Sequence, residues 1–179
     1  MSDTQRPSAR DHIDAEYALR DDSRNHRAEL RLWLRLLTCA NLIETEIRKR
    51  LREQFDTTLP RFDLLAQLHR TKDGILLGEL SQRMMVSNGN VTGLVERLAR
   101  EGLIERQVTA TDRRAVRVRM TKRGHLVFSE MAEAHRDWIS ELLAGLTETH
   151  QERLWSRLGD LKTSVRSAIA TKGGKTNGK

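Results

Sequence analysis

The segment VSNGNVTGLVERLAREGLIER, residues 86–106, decides the fold that this sequence predicts. Apolar residues recur in it at helical spacing, which predicts a helix over residues 88–100 with one apolar face. Gly89 and Gly93 fall on the opposite, outward face, although a glycine inside a helix costs about 1 kcal/mol relative to alanine. Core packing therefore does not explain the two glycines. The predicted inner face consists of Val91, Leu94, Val95 and Leu98.

The outward glycines leave a flat surface beside the polar first turn of this helix. Ser87 is the predicted N-cap, and the positive end of the helix dipole lies next to it. Asn90 and Arg97 flank the glycines on one edge of the helix, and Thr92 flanks them on the other. Such a helix end is suited to entering a DNA major groove. The alternative is that Asn88 and Gly89 form a simple turn and the helix begins at Asn90.

The neighbouring segments extend this helix into a larger motif. ILLGELSQRMM, residues 75–85, predicts a short helix before it, and the pair makes a helix-turn-helix. After Gly102, a predicted helix C-cap, the apolar period changes to two in LIERQVT and AVRVRMT. These two runs predict a two-stranded ribbon with the basic tip ATDRR. The whole is a winged helix-turn-helix, in which Arg117 and Arg119 are either solvated or in contact with phosphate.

The rest of the chain predicts long helices around this lobe. One runs over about residues 27–55, a short helix with Pro60 in its first turn follows, and Thr121 begins another long helix that breaks near 145–147. The predicted fold is mainly α with a small β-ribbon. Its parts are a mobile arm at 1–25, one domain at 26–170 and a basic flexible tail at 171–179. Within the domain, long helices at about 27–55 and 122–170 flank a DNA-binding lobe at about 60–121.

The charge is concentrated in the predicted lobe. The net charge is +7. Residues 1–80 hold 14 basic and 14 acidic side chains, whereas residues 81–125 hold ten basic and four acidic. An excess of positive charge on one motif is typical of a surface that binds nucleic acid.

Other classes of protein find little support in the sequence. No apolar run is long enough to span a membrane, and the first residues lack the apolar core of a secretory signal. Cys39, the single cysteine, fits a reducing cytoplasm. No metal-ligand, phosphate-loop or nucleophile motif occurs, so we predict no cofactor, no metal and no enzyme. Catalysis by residues distant in sequence stays open as the less favoured alternative.

The segment from GELSQRMM through GLIER, DRRA and TKRG, residues 78–124, resembles the DNA-binding lobe of MarR-type transcriptional regulators. Flanking helices of the right length extend the resemblance over about residues 27–169. It implies a homodimer held by its N- and C-terminal helices, which binds a palindromic operator in double-stranded DNA. It also implies a repressor that a small ligand releases.

The resemblance assigns roles to particular residues of this sequence. Ser87, Asn88, Asn90 and Thr92 would meet bases or phosphates in the major groove. In the tip, Arg113 and Arg114 would reach the minor groove or its backbone, and Asp112 would hold the tip by pairing with Arg114. An ordinary turn residue is the alternative for Asp112. The complete predicted DNA-binding set is Ser87, Asn88, Gly89, Asn90, Thr92, Gly93, Arg97, Asp112, Arg113 and Arg114.

The family's ligands lie between the dimer helices and the DNA-binding lobe. Here, apolar side chains and arginines near that junction would form the effector site, and the wider sequence looks like a subgroup that controls aromatic-acid catabolism. The predicted effector is an aromatic acid or its CoA thioester. Ordinary core packing and solvated arginines are the alternative for every member of the set. The set is Arg31, Trp33, Arg35, Leu37, Arg61, Phe62, Leu65 and His69.

Two further functions stay open. One MarR branch senses peroxides through a thiol, but Cys39 lies in the apolar stripe of the first helix, which favours packing over reactivity. The lobe would also suit a winged helix that binds DNA without sequence preference or contacts other proteins.

Overall fold

The computed structural model describes residues 28–71, 73–84, 88–108 and 116–173. This part of the chain is mostly helical and holds one small antiparallel sheet, which confirms the predicted fold class. None of its helices is both long and apolar enough to cross a membrane. In chain order the elements are α1 (Ala28–Phe55), α2 (Leu59–His69), β1 (Ile75–Leu76), α3 (Leu77–Met84), α4 (Asn88–Arg100), β2 (Ile104–Val108), β3 (Val116–Met120), α5 (Lys122–Leu143) and α6 (Glu148–Gly173).

The chain divides into two compact units, residues 1–138 and residues 139–179. The first contains α1 to β3 and most of α5, and the second contains the end of α5 and α6. The predicted arm at 1–25 lies outside the described residues, whereas α6 continues to Gly173, within the segment predicted as a tail. The predicted break near 145–147 is confirmed by the turn between α5 and α6, where Thr147 Oγ1 accepts a hydrogen bond from His150 N (3.3 Å).

The core of the first unit lies among α1, α2, α3, α4 and the sheet. Three of the four residues on the predicted inner face of α4 are fully buried, and Leu94 is half-buried at its edge. Full burial of one such side chain stabilises the fold by about 1.5–3 kcal/mol. The fully buried aliphatic side chains are Leu51, Leu64, Leu65, Leu68, Ile75, Leu80, Val91, Val95, Leu98 and Val118.

The sheet has three strands in the order β1-β3-β2, one more than the predicted ribbon. In β1, Ile75 pairs with Val118 of β3. Gly74 precedes β1 with a φ of 74°, and a Cβ there would overlap the carbonyl oxygen of Val118. Glycine therefore permits the close approach of β1 to β3. The strand was not predicted because two residues are too few to show an alternating pattern.

The predicted ends of the helices around the ribbon are confirmed. Gly102 ends α4 with a φ of 72°, and Leu103 N donates to Leu98 O (3.0 Å). Thr121 caps α5 by accepting a hydrogen bond from Gly124 N (3.0 Å), while its own hydroxyl donates to Gly102 O (2.7 Å). A Cβ at Gly124 would overlap the carbonyl oxygen of Leu103. The start of α5 is therefore held tightly against the segment that follows α4.

The long helix α1 is buried unevenly along its length. Ile47 and Leu51 near its C-terminal end are buried, but the apolar side chains of its N-terminal half are largely exposed. Cys39 is exposed in the single chain, and its packing role stays a prediction because it lies on a helix that a second subunit is predicted to cover. Although Cys39 belongs to the apolar stripe of α1, the other described elements bury that stripe only nearer the C-terminal end, at Ile47 and Leu51.

Candidate nucleic-acid interface

The outward face of α4 is smooth at both glycines. A Cβ added to Gly89 would meet no atom within 4 Å. One added to Gly93 would meet only the side chain of Arg97, at 3.9 Å. Val91 and Val95 point the other way, into the core. The predicted outward placement of the two glycines is confirmed, and a side chain at either position would extend toward solvent.

The first turn of α4 is polar and carries no acidic residue. The positive end of its helix dipole is therefore not neutralised by a carboxylate of that turn. Asn90 is exposed and Thr92 is half-buried. Arg97 is exposed, and its Nε donates to Gly93 O (3.2 Å). Ser87 and the side chain of Asn88 lie outside the described residues.

The predicted helix-turn-helix is formed by α3 and α4, which pack against each other. Leu80 on α3 is fully buried, and Ser81 beside it donates its hydroxyl hydrogen bond to Leu77 O (3.1 Å). This packing holds α3 in place and leaves the polar face of α4 open.

The predicted wing is formed by β2 and β3, which pair from Ile104–Met120 to Val108–Val116. Its tip, with Asp112, Arg113 and Arg114, lies outside the described residues. The two arginines of β3 have partners within the protein. Arg119 pairs with Glu105 across the ribbon, and Arg117 donates to Gly74 O (3.2 Å).

A cavity of about 460 Å³ lies at the C-terminal end of α4. Three arginines and two carboxylates line it, so the balance of formal charge is positive by one: Arg61, Arg100, Arg123, Asp56 and Glu101. Its apolar wall comes from α1, α2, α5 and the segment before β2, and consists of Phe55, Leu65, Leu103, Val127 and Met131.

An ion pair between Arg61 and Glu101 lies at this cavity. Arg61 donates two hydrogen bonds to the carboxylate, one of them from Nη1 to Oε1 at 2.8 Å. These hydrogen bonds lower the pKa of Glu101 below its ordinary value. Arg61 Nε is buried and, among the described residues, has no hydrogen-bond partner. Arg61 therefore holds a carboxylate already and keeps one donor unused.

A second cavity, of about 450 Å³, lies beside α4 on the edge that carries Arg97. Arg48 and Arg52 of α1 contribute to it, together with Thr58 and the first turn of α2. Arg48 is paired with Glu44 within α1. Residues of α1, α2 and the predicted DNA-binding helix α4 therefore line this cavity together, and several of them are basic.

The structure separates the predicted effector residues into three groups. Arg61 and Leu65 line the first cavity. Phe62 and His69 instead contact Phe128 of α5, with ring centroids 5.4 Å and 4.9 Å apart. The remaining four lie on the N-terminal half of α1 and line neither of the two cavities: Arg31, Trp33, Arg35 and Leu37.

Apart from Arg61 and Leu65, the cavity residues were not among the predicted ones, and the charged members of this group are Asp56, Arg100, Glu101 and Arg123. Glu101 follows α4 directly and is paired with a residue 40 positions earlier. No local spacing indicates such a pair, so the sequence carried no signal for it.

Comparison with known proteins identifies the family. A model described as "MarR family" matches residues 55–115. The chain is 33% identical over 128 residues to the transcriptional activatory protein BadR of Rhodopseudomonas palustris, a match that covers 69% of this chain and 73% of that protein. The chain belongs to the MarR family. It is therefore a DNA-binding transcriptional regulator, and the family and these relatives are regulators rather than enzymes.

Solved structures agree with this assignment. A MarR-family regulator from Silicibacter pomeroyi superposes with a TM-score of 0.64 at 30% identity, covering 76% of this chain and 94% of that one. The MepR–DNA complex of S. aureus gives a TM-score of 0.64 at 21% identity, covering 78% and 99%. The second likeness concerns the fold alone.

Proposed function

We propose that this MarR-family protein is a homodimeric repressor that binds a palindromic operator and is released by a small aromatic ligand. The observation that carries the proposal is the face of α4, where Gly89 and Gly93 point away from the core beside a first helical turn that carries no acidic residue. A protein that needed only a stable helix would gain about 1 kcal/mol from alanine at an interior glycine such as Gly93.

The two α4 helices of the dimer enter successive major grooves about 10 bp apart. Asn90 and Thr92, with Ser87 and Asn88 before them, contact bases or phosphates. Gly89 and Gly93 let the duplex come close, and Arg97 contacts the backbone from the edge of the helix. The second cavity lies on that same edge, and its arginines add positive potential where a phosphate backbone would run.

The wing tip supplies the second set of contacts. Arg113 and Arg114 reach the minor groove or its backbone, and Asp112 holds the tip in shape. Arg117 and Arg119 have partners inside the protein, which supports giving the tip, rather than the strands, this role.

The homodimer is supported by apolar side chains that the single chain leaves exposed. On α1 these are Leu30, Leu32, Trp33 and Leu42. On α6, exposed apolar residues recur at helical spacing, as helix-on-helix packing requires. They are Leu154, Trp155, Leu158, Val165 and Ile169.

The effector proposal is supported by the cavity at the end of α4. Its volume falls in the range of small-molecule sites, and it combines an apolar wall with arginines that bind carboxylates. An aromatic acid, free or as its CoA thioester, fits this chemistry when its anionic group competes with Glu101 for Arg61. Because Arg100 is the last residue of α4 and Glu101 follows it, occupancy would act directly on the helix that reads DNA.

The direction of control and the compartment belong to the proposal as well. The relative BadR is named an activator, so repression by this chain needs its own measurement. A reporter driven by the operator measures it, and expression that rises when the gene is deleted supports repression. A DNA-binding regulator acts in the cytoplasm, where the single cysteine would stay reduced.

The test is to recover the DNA that the purified protein retains from a genomic library and to titrate the recovered sequence. We expect a preference of at least about 10³-fold over random DNA. Binding that falls steeply with salt and shows no sequence preference would favour the non-specific winged helix instead. Aromatic acids and their CoA esters are then added to the protein–DNA complex. If none of them releases the protein from DNA, the effector proposal is refuted.

A second candidate is a thiol sensor at Cys39, which is exposed in the single chain and would also have to be accessible in the homodimer, since oxidants must reach it. The test compares the wild type with Cys39→Ser in an operator complex treated with peroxide. Release of the wild type alone would favour a thiol sensor. Equal behaviour of both proteins would leave ligand binding as the trigger.

A further inference from the structure

Two histidines from different helices contact each other at the edge of the first unit. His69 is the last residue of α2, and His125 lies in the first turn of α5. Their Nδ1 atoms are 3.2 Å apart, and both side chains are exposed. Neither histidine has a role in the proposed contact with DNA.

A distance of 3.2 Å between two ring nitrogens fits two arrangements. One is a hydrogen bond, which needs one ring as donor and the other as acceptor. The other is a shared metal ion, because two ligands at about 2.0–2.1 Å from a tetrahedral Zn²⁺ stand about 3.3–3.4 Å apart. We propose that the Nδ1 atoms of His69 and His125 bind one divalent transition-metal ion per chain, of the Zn²⁺ class.

The two helix ends that carry the histidines are held in place without an ion. The ring of His69 contacts Phe128 at 4.9 Å between centroids, and Thr71 Oγ1 donates to Leu68 O (3.1 Å) at the end of α2. The first turn of α5 is held by the Thr121 cap and by the close approach of Gly124 to Leu103. Ligands on rigid elements bind a metal with less loss of entropy.

The remaining positions of the ion are filled by water. Among the described residues, no group of three or more histidines, cysteines or carboxylates could hold a metal. Two imidazoles favour Zn²⁺, Ni²⁺ or Cu²⁺ over Mg²⁺, which prefers oxygen ligands. Arg70 and Lys122 are close by in the chain and oppose a cation, so binding is weaker than in a closed structural zinc site.

The experiment titrates ZnCl₂ into metal-free full-length protein and follows the heat of binding. We expect one ion per chain, with affinity at least about tenfold weaker in both His69→Ala and His125→Ala, since each removes one of two ligands. His150→Ala is the matched control, because His150 is exposed on α6 and lies outside the pair. Its affinity is expected to equal that of the wild type.

A second measurement follows thermal unfolding of the same proteins without DNA. Zn²⁺ is expected to raise the melting temperature of the wild type and of His150→Ala, and EDTA to reverse the shift. Mg²⁺ is expected to change nothing. No saturable Zn²⁺ binding, or binding that persists in both pair variants, would overturn the proposal and leave a hydrogen bond as the whole contact.

Discussion

The middle of the first unit and helix α6 differ in how much of their apolar side chains is exposed to solvent. Leu68 of α2 and Val91 of α4 are 0% exposed, whereas Trp155 and Ile169 of α6 are 82% and 66% exposed in the single chain. Both regions repeat apolar residues at helical spacing. The first unit satisfies that pattern with its own elements, and α6 presents the same pattern to solvent. An amphipathic repeat therefore shows that a helix has a face to cover and does not show which molecule covers it.

The largest effect is expected in the buried region. Leu68→Ala should lower the free energy of unfolding by about 2–5 kcal/mol, because it removes fully buried groups and leaves a cavity. Urea denaturation measures it. Leu126→Ala on α5 is the control, since Leu126 is 69% exposed, and it should change stability by less than about 0.5 kcal/mol. Equal losses of unfolding free energy in the two variants would contradict the expectation that the buried site contributes more to stability.

The next effect concerns the exposed region. Trp155→Ala should weaken dimerisation by about 2 kcal/mol, roughly 30-fold in the dissociation constant, because buried tryptophans dominate interfaces. Sedimentation equilibrium measures the constant. Leu126→Ala again serves as the control. A wild-type protein that stays monomeric, or a variant that dimerises equally well, would contradict the assigned role of α6.

Arginines of the wing tip and of the wing strands are expected to differ in how much they contribute to operator binding. Replacing Arg113 and Arg114 together by alanine should weaken operator binding by about tenfold or more and lower the salt slope by about 2, because two phosphate contacts are lost. Arg119→Ala should have a smaller effect, since Arg119 is paired with Glu105. Unchanged affinity of the double variant in a gel-shift titration would count against the wing assignment.

A smaller effect separates stability from DNA binding on α4. Gly93→Ala should stabilise the fold by about 1 kcal/mol, because alanine favours the helix and the added methyl meets only the Arg97 side chain. The same change should weaken operator binding by about tenfold if the duplex approaches this face. Gly145→Ala, in the turn between α5 and α6, also extends into open space and should leave operator affinity unchanged. Unchanged operator affinity of Gly93→Ala would refute the close approach.

The smallest effect is a pH dependence at the first cavity. The folded-state pKa of Glu101 lies below the ordinary 4.5, so its carboxylate stabilises the fold above that pH and the contribution is lost as pH falls through the lowered pKa. Glu101→Gln should therefore lose less stability in acid than the wild type. The difference should stay below about 1 kcal/mol, because the pair is partly exposed.

Asp63→Asn gives the contrasting case in the same denaturation series. Partial burial raises the pKa of Asp63, Glu44 nearby adds to the rise, and Arg48 opposes it. Its contribution is therefore present at low pH and is lost as pH rises through the folded-state value. Asp63→Asn should accordingly remove a destabilisation at neutral pH. The same pH response in both variants would contradict the assigned directions.

The sequence by itself determined the features that depend on neighbours along the chain. Outward Gly89 and Gly93, the glycine that ends α4 at Gly102 and the Thr121 cap of α5 were all predicted. Each rests on helical periodicity or on hydrogen bonds that span about three to five residues. Such interactions join residues that are close together along the chain, so the local pattern predicts them.

Only the tertiary structure decided the remaining features. Strand β1 exists because Val118 lies beside Ile75, Arg61 pairs with Glu101, and His69 meets His125. The exposure of Cys39 likewise depends on which elements cover α1. The partners in each of these pairs are 40 or more residues apart along the chain, so local spacing carries no trace of them. Folding brings them together because the core between them packs in one way.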